Sequence, residues 1–311
     1  MSAQKAAAQW ETENQYPGTS TLKPLSRTRE LAAVWMFVKR DLLLETHFKL
    51  SYLTGLMETV SMLVIYGMIA RFGQSVPEVQ ALAGGYVNFV VSGLVINTLL
   101  ATALSGPYYG LMESFWNNRV EIITASPLRL PLFVTGISAG RYVDAVIRMA
   151  IYLIGGMAFL GFTWPKAPQV LSLFAVLLPA LVACTGLGLA AASSIYTLDA
   201  RGGQDPIRFA VEAISGLVAG VYFPLQVLPA GAKWLAYIVP HTYAIDGIRR
   251  ALFGSASIPL LPIHRYLPVS PPAADSLILT LYAVIALPVG WKLFRYGMKL
   301  ARSDGRLSRW L

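Results

Sequence analysis

The longest stretches of this chain between one charged residue and the next are apolar and of membrane-spanning length. Between Lys49 and Arg71 lie 21 residues with one charge, Glu58, and between Glu78 and Glu113 lie 34 with none. Gaps of 17, 32, 20 and 16 residues separate Arg148 from Lys166, Lys166 from Asp199, Glu212 from Lys233, and Asp275 from Lys292. A helix needs about 20 apolar residues to cross the hydrocarbon core. The pattern predicts six spans, at about 51–70, 84–106, 142–162, 170–193, 207–224 and 275–295, the fifth interrupted at its end by Pro224 and Pro229. A lipid-exposed backbone must satisfy its own hydrogen bonds, so the runs are helices. A transmembrane barrel would show alternating strands of about ten residues instead. The expected fold class is all-α integral membrane.

Composition agrees. Only 13% of residues are charged and 55% are hydrophobic, with a mean hydropathy of +0.55. That is too little charge for a soluble domain and too much hydrophobicity for a disordered chain. The net charge of +9 raises the question of nucleic acid. Its distribution answers as topology. Six spans place both termini on one side, which collects 18 Lys and Arg against 6 on the other, with Arg148 inside a span. The positive-inside rule then makes both termini cytoplasmic. The surplus favours anionic lipid, and no nucleic-acid partner is expected.

The first 30 residues are polar and lack the apolar core of a secretory signal. Residues 1–27 are expected to be a flexible cytoplasmic tail, and 301–311 a second one. The lone cysteine, Cys184, falls inside the fourth span and makes no internal disulfide; His47, His241 and His264 are scattered. Neither zinc spacing nor a histidine metal site is legible, so no metal is expected.

Three segments depart from a plain bundle of spans within the domain 50–300. In 28–49, Leu31, Val34, Trp35, Val38 and Leu42 recur at helical spacing beside Arg29, Lys39, Arg40 and Lys49. This predicts an amphipathic helix in the cytoplasmic interface. In the connection at about 107–131, aromatic, amide and acidic groups (Glu113, Phe115, Trp116, Asn117, Arg119, Glu121) make a short helix ended before Pro127. Two readings stand: a knob for a soluble partner, or a loop folded back on its own bundle. In the connection at about 224–274, two short apolar helices flank Pro240 and read as a re-entrant pair. A stretch with Pro259, Pro262, Pro268, Pro271 and Pro272 follows as an extended loop.

The late segment carries a resemblance. Tyr222-Phe223-Pro224, Leu228-Pro229, Trp234, Tyr237 and the run Pro240-His-Thr-Tyr-Ala-Ile-Asp246-Gly-Ile-Arg249 resemble the ABC type-2 permease family, the membrane halves of bacterial ABC exporters. Glu121 followed by Ser126-Pro127 is similar to the family's cytoplasmic stretch, although Arg119-Val120 stand where Gly-Thr is usual. The resemblance covers about 28–300. It implies a multi-pass subunit of a bacterial inner (plasma) membrane, paired with a second permease subunit, identical or homologous, and with two copies of a separate ABC ATPase. ATP and magnesium belong to that partner. No G-x-x-x-x-G-K-[ST] phosphate loop occurs here, so no cofactor is expected on this chain. The implied function is ATP-driven export of an amphipathic substrate, a hydrophobic drug or a lipid, by alternating access. A lipid-linked polysaccharide is the alternative cargo.

The resemblance also implies roles. Glu113, Trp116, Asn117, Arg119 and Glu121 form the ATPase contact of a coupling helix. Phe223, Pro224, Pro229, Pro240, Tyr243, Asp246 and Arg249 form an extracellular gate. Gly216 and Gly220 are spaced for close helix packing, at the dimer interface or within the subunit. Arg141, Asp144 and Arg148 share one helix face, where mutual pairing is expected, either as a substrate-headgroup or transmission site or as a structural ion cluster. Glu58 either pairs with Arg148 or lines a polar cavity, and Glu212 lies near the cytoplasmic end of its helix. Gly136-Ile-Ser138-Ala-Gly140 matches a hydrolase pattern, but it leads into a span with no histidine near it, so no catalytic residue is expected. A membrane-embedded lipid or prenyl transferase would need clustered aspartates, and no D-x-x-D pair occurs. A secondary transporter would show two matching broken helices, and only one segment is interrupted.

Overall fold

A computed structural model describes residues 27–73, 85–126, 128–165, 168–200, 205–254 and 261–307. Residues 1–26 (most of the N-terminal tail), 74–84, 127, 166–167, 201–204, 255–260 and 308–311 (the end of the C-terminal tail) lie outside the described residues. Every regular element described is helical. In chain order these are α1 (Arg27–His47), α2 (Lys49–Gly73), α3 (Tyr86–Trp116), α4 (Arg119–Ala125), α5 (Leu130–Gly155), α6 (Val170–Thr197), α7 (Pro206–Val218), α8 (Ala230–Ile238), α9 (Pro240–Phe253) and α10 (Pro271–Ser303). A π-turn, Gly156–Leu160, extends α5, and 3-10 turns occupy Leu225–Val227 and Pro262–Arg265.

Five helices are long and apolar enough to cross a membrane: α2, α3, α5 with its π-turn, α6 and α10. The remaining expected span, 207–224, is helical over a shorter stretch than expected. Its helix α7 has 13 residues, about 20 Å at 1.5 Å per residue, short of a hydrocarbon core of about 30 Å. Asp205 starts it by accepting hydrogen bonds from the amides of Ile207 (3.1 Å) and Arg208 (2.8 Å), with Pro206 at the first position. Gly220, at φ 82°, turns the chain out of helix two residues after Val218. The segment nevertheless runs the length of the bundle. Asp205 bonds Ser194 near the end of α6, whereas Gly220 and Val221 bond Arg249 beside the start of α3.

The bundle thus has two ends. At one, the ends of α3, α6 and α10 gather around α4 and α1. At the other, α8 and α9 meet the starts of α3, α6 and α10. The core follows the same order. Tyr108, Phe115, Phe133, Ile195 and Phe294 fill the α4 end. Leu100, Leu104, Val176, Ile245 and Leu279 fill the middle, and Tyr86, Phe89, Leu94 and Phe162 close the far side. The tightest seam is α6 on α10. A Cβ on Gly290 would collide with the Gly186 carbonyl oxygen, and one on Gly186 would lie 2.5 Å from the Ala286 carbonyl carbon. Small residues allow this approach where no hydrophobic force separates helix from lipid.

α1 packs lengthwise on α5 and runs parallel to it. Glu30 pairs with Arg129, Phe37 sits over Gly136, and Asp41 over Gly140. α2 continues the seam, with Gly55 at Arg148, Leu63 at Gly155 and Gly67 at Leu160. The hydrolase-like glycines Gly136 and Gly140 therefore serve close helix approach. Leu31, Trp35 and Met36 stay exposed on the outer side of α1.

Candidate functional site

The expected connecting helix at 107–131 is shorter than its sequence suggests. α3 continues through Pro107 to Trp116, since a proline inside a membrane helix is tolerated when neighbours cover the freed carbonyl. Asn117 and Asn118 then turn the chain, Asn118 at φ 54°, and α4 is seven residues long. This turn sorts the five expected coupling residues into two groups. Trp116, Asn117 and Glu121 are exposed, as is Ile122, which is 72% exposed. Glu113 and Arg119 instead point into the bundle end. Glu113 Oε1 lies 3.5 Å from Arg119 Nη1 and 3.8 Å from Arg40 of α1, and its Oε2 lies 3.5 Å from Arg141 of α5. One carboxylate thus joins four helices. Phe115 and Val120 are buried beneath it, so α4 is anchored on one side and presents Glu121 and Ile122 on the other, beside the exposed Trp116 at the end of α3.

The expected charge cluster on α5 is divided. Arg148 donates to Asp144 at 2.8 Å, to the Gly55 carbonyl at 2.9 Å and to the Thr59 hydroxyl at 2.8 Å. Arg141 turns to Glu113 instead, with its guanidinium 5.3 Å from the centre of the Tyr109 ring. The expected pairing of Glu58 with Arg148 does not occur. Glu58 is exposed on the outer side of α2, and Thr59, one residue on, takes the inward position. Glu212 pairs with Arg208 one turn earlier, and Arg208 stacks 4.8 Å from the Tyr109 ring centre. The expected glycine pair is also corrected. Gly216 lies on α7 with open space around its Cβ position, but Gly220 is outside the helix, so the two form no helical stripe.

At the far end, Pro240 separates α8 from α9, and Val239 before it is extended (φ −93°, ψ 136°), as a residue preceding proline prefers. Phe223 and Pro229 are exposed, whereas Pro224, Pro240, Tyr243, Asp246 and Arg249 are buried. Tyr243 donates to the Tyr237 carbonyl at 2.9 Å and Thr242 to the Ala236 carbonyl at 2.5 Å, closing the angle between the two helices.

Arg249 is the pin of this region. It donates to the carbonyls of Gly220 (2.5 Å), Phe89 (2.8 Å) and Val221 (2.9 Å), and to the Ser92 hydroxyl (3.3 Å). It also lies 3.6 Å from the centre of the Phe89 ring. The carbonyls of 220 and 221 are freed where α7 ends, so Arg249 supplies the donors that the broken helix lacks.

Asp246 belongs to a second buried group. Arg250, fully buried, bonds both its oxygens, at 2.6 and 3.2 Å. His264 Nε2 lies 2.9 Å from Asp275 Oδ1 and 3.9 Å from Asp246 Oδ2. The Leu261 amide donates to His264 Nδ1 at 3.3 Å. That ring nitrogen is therefore an acceptor, and Nε2 carries the proton given to Asp275. Burial holds the His264 imidazole below its ordinary pKa, against the opposing pull of Asp246. Asp246, His264 and Asp275 offer ligand atoms within 4.8 Å of one another. The fit to a metal is poor, because Arg250 occupies Asp246 and the His264 proton occupies Asp275. The group reads as a network tying the loop before α10 to α9, with Asp275 Oδ2 buried and without a hydrogen bond.

Sequence reasoning did not single out Arg40, Asp41, Arg250, His264 or Asp275. The Asp246–Arg250 spacing of four on one helix was a usable signal. For His264 and Asp275 no local signal exists, since their partners come from another helix.

A helical multi-pass membrane protein with an anchored short helix at one end of its bundle and a pinned pair of short helices at the other is the class defined by these features. Residues 32–253, well over half of the chain, match the family model described as ABC-2 type transporter, and the chain belongs to that family. It is a membrane-embedded transport subunit of an ABC system, a type of chain that associates with an ABC ATPase subunit and is generally not itself an enzyme. None of the curated proteins matches the chain.

Proposed function

We propose that the chain is the permease of an ATP-driven exporter in a bacterial inner membrane, moving a hydrophobic drug or a lipid out of the cytoplasm or the inner leaflet. Two permease copies and two ATPase subunits make the working unit, and ATP with magnesium binds on the ATPase. The observation that carries this reading is the two-sided α4: Val120 and Arg119 anchor it, while Glu121 and Ile122, with Trp116 at the end of α3 beside them, face outward. A helix of seven residues keeps a large apolar side chain in water only where another surface covers it. ATP-driven closure of the ATPases pushes on α4, and the Glu113 hub carries the push to α1, α3 and α5. Alternating access needs such a two-state element biased by ligand. Both termini are cytoplasmic in this reading. The start of α1 and the end of α10 lie at the α4 end of the bundle, where most Lys and Arg fall.

The test is co-purification followed by reconstitution. A Walker-type ATPase should co-purify with the chain, and ATP should drive transport into proteoliposomes. Trp116→Ala and Glu121→Ala should keep the helical fold and lose ATP-coupled transport. Normal coupled transport in both variants would remove the α4 assignment. Transport driven by a proton gradient with no ATPase partner would remove the exporter reading.

A further inference from the structure

Beneath the bend between α1 and α2 lies a cavity of about 450 Å³ that the transport reading leaves without an occupant. It opens between that bend, the end of α3, the start of α4 and the middle of α5. One wall is apolar and aromatic, from Leu44, Phe48 and Tyr52; the other carries Arg119, Arg141 and Arg148. Three carboxylates, of Asp41, Glu113 and Asp144, also reach it.

The charges do not cancel. Asp41 is taken by Arg40 at 2.5 Å, and Asp144 by Arg148 at 2.8 Å. Glu113 is then left to Arg119 and Arg141, both at 3.5 Å. Two guanidiniums share one carboxylate, so one positive charge remains. Neither guanidinium makes a hydrogen bond among the described residues: Arg119 Nη1 is buried with only its ion pair to Glu113, and Glu113 Oε1 and Asp144 Oδ1 beside the same cavity are likewise buried without a hydrogen bond. Buried donors of this kind need an acceptor, and a planar guanidinium pair matches phosphate oxygens. A single phosphodiester supplies one negative charge. Its neighbouring chain needs an apolar surface, which Phe48 and Tyr52 provide within reach of the same cavity.

We propose that this cavity binds the phosphodiester headgroup of a lipid amphiphile, with Arg119 and Arg141 as anion ligands and Phe48 and Tyr52 against the first part of its chain. The binding stands on the cavity itself; the role of the bound lipid as cargo rests on the export reading. Because Arg119 belongs to α4 and Arg141 to α5, an occupied headgroup site replaces the loose Glu113 pairing with direct hydrogen bonds. The position of α4 then depends on whether the site is filled.

Native mass spectrometry of the detergent-purified chain tests this with three probes: phosphatidylglycerol, diacylglycerol with the same chains, and inorganic phosphate. Phosphatidylglycerol should bind, and diacylglycerol should bind at least tenfold more weakly. The double variant Arg119→Gln/Arg141→Gln should lose tenfold or more of the phosphatidylglycerol affinity, while Arg306→Gln, far along the C-terminal end, should not. Wild-type affinity in the double variant overturns the proposal. Inorganic phosphate binding as tightly as phosphatidylglycerol makes this a free-anion site and overturns the lipid assignment. If the double variant does not fold, photocrosslinking of the wild-type chain with phosphatidylglycerol reactive near its glycerol decides. Labels within 41–52 and 140–148 support the site, and labels confined elsewhere overturn it. No ATP enters these measurements, so a chain that binds lipid but recruits no ATPase fails the export reading alone.

Discussion

The Glu113 carboxylate and the Arg141 guanidinium meet at 3.5 Å, joining the last turn of α3 to the first half of α5. The same carboxylate reaches Arg119 of α4 and Arg40 of α1. A short helix at the end of a bundle is thereby held by one acidic side chain whose partners come from three other elements.

Glu113→Gln should loosen α4 more than it destabilises the bundle. Its partners are about a third exposed, and ion pairs of that kind contribute roughly 0.2–1 kcal/mol each. The thermal midpoint should fall by only a few degrees. Limited proteolysis within 117–126 should accelerate clearly, and an unchanged rate would mean that Phe115 and Val120 alone hold α4.

Arg249→Lys should be severely destabilising despite keeping the charge. Lysine cannot reproduce the fork that serves the carbonyls of Phe89, Gly220 and Val221 together with Ser92. At least two buried carbonyls are left unpaired, at about 1–3 kcal/mol each. Thermal unfolding in detergent should show the loss, and a melting point equal to wild type would refute the pinning role.

Glycine substitutions should divide by place. Gly290→Ala drives a methyl into the Gly186 carbonyl and should disrupt the α6–α10 seam. Gly220→Ala forces an alanine to φ 82°, at roughly 1–2 kcal/mol. Gly216→Ala meets open space within α7 and should raise subunit stability by about 0.5–1 kcal/mol. If Gly216→Ala instead leaves a well-folded monomer where the wild type is a dimer, that glycine lies at the subunit interface.

His264→Ala should loosen the loop before α10. The imidazole accepts from the Leu261 amide and donates to Asp275, and removing it leaves buried polar partners unmatched, at about 1–3 kcal/mol each. Hydrogen exchange at 261–265 should be faster in the variant than in the wild type, and equal rates would mean that this network does not hold the loop.

Much of the architecture was legible before any coordinates. Uninterrupted apolar runs of about 20 residues have one solution in lipid, and five of the six expected runs are long helices. Pro240 announced the break between α8 and α9 because its ring disfavours helix at Val239. The α7 helix was misjudged in length because the run stays apolar past Val218, while the stop depends on the backbone of Gly220. Hydropathy carries no information about that dihedral.

The site residues divide in the same way. Helical spacing placed Arg141, Asp144 and Arg148 on one face, but only the packing of α3 drew Arg141 away to Glu113. Asp246 and Arg249 stood out as residues of one motif, yet they serve separate networks, one with Arg250, His264 and Asp275, the other with the Phe89 carbonyl of α3 and the Gly220 and Val221 carbonyls beyond the end of α7. The sequence by itself determined which segments enter lipid, because transfer of a side chain into hydrocarbon depends on that side chain alone. The tertiary structure decided which charge meets which, because a pair within 4 Å is set by where helices cross, and residues as far apart as Ser92 and Arg249 become neighbours only there.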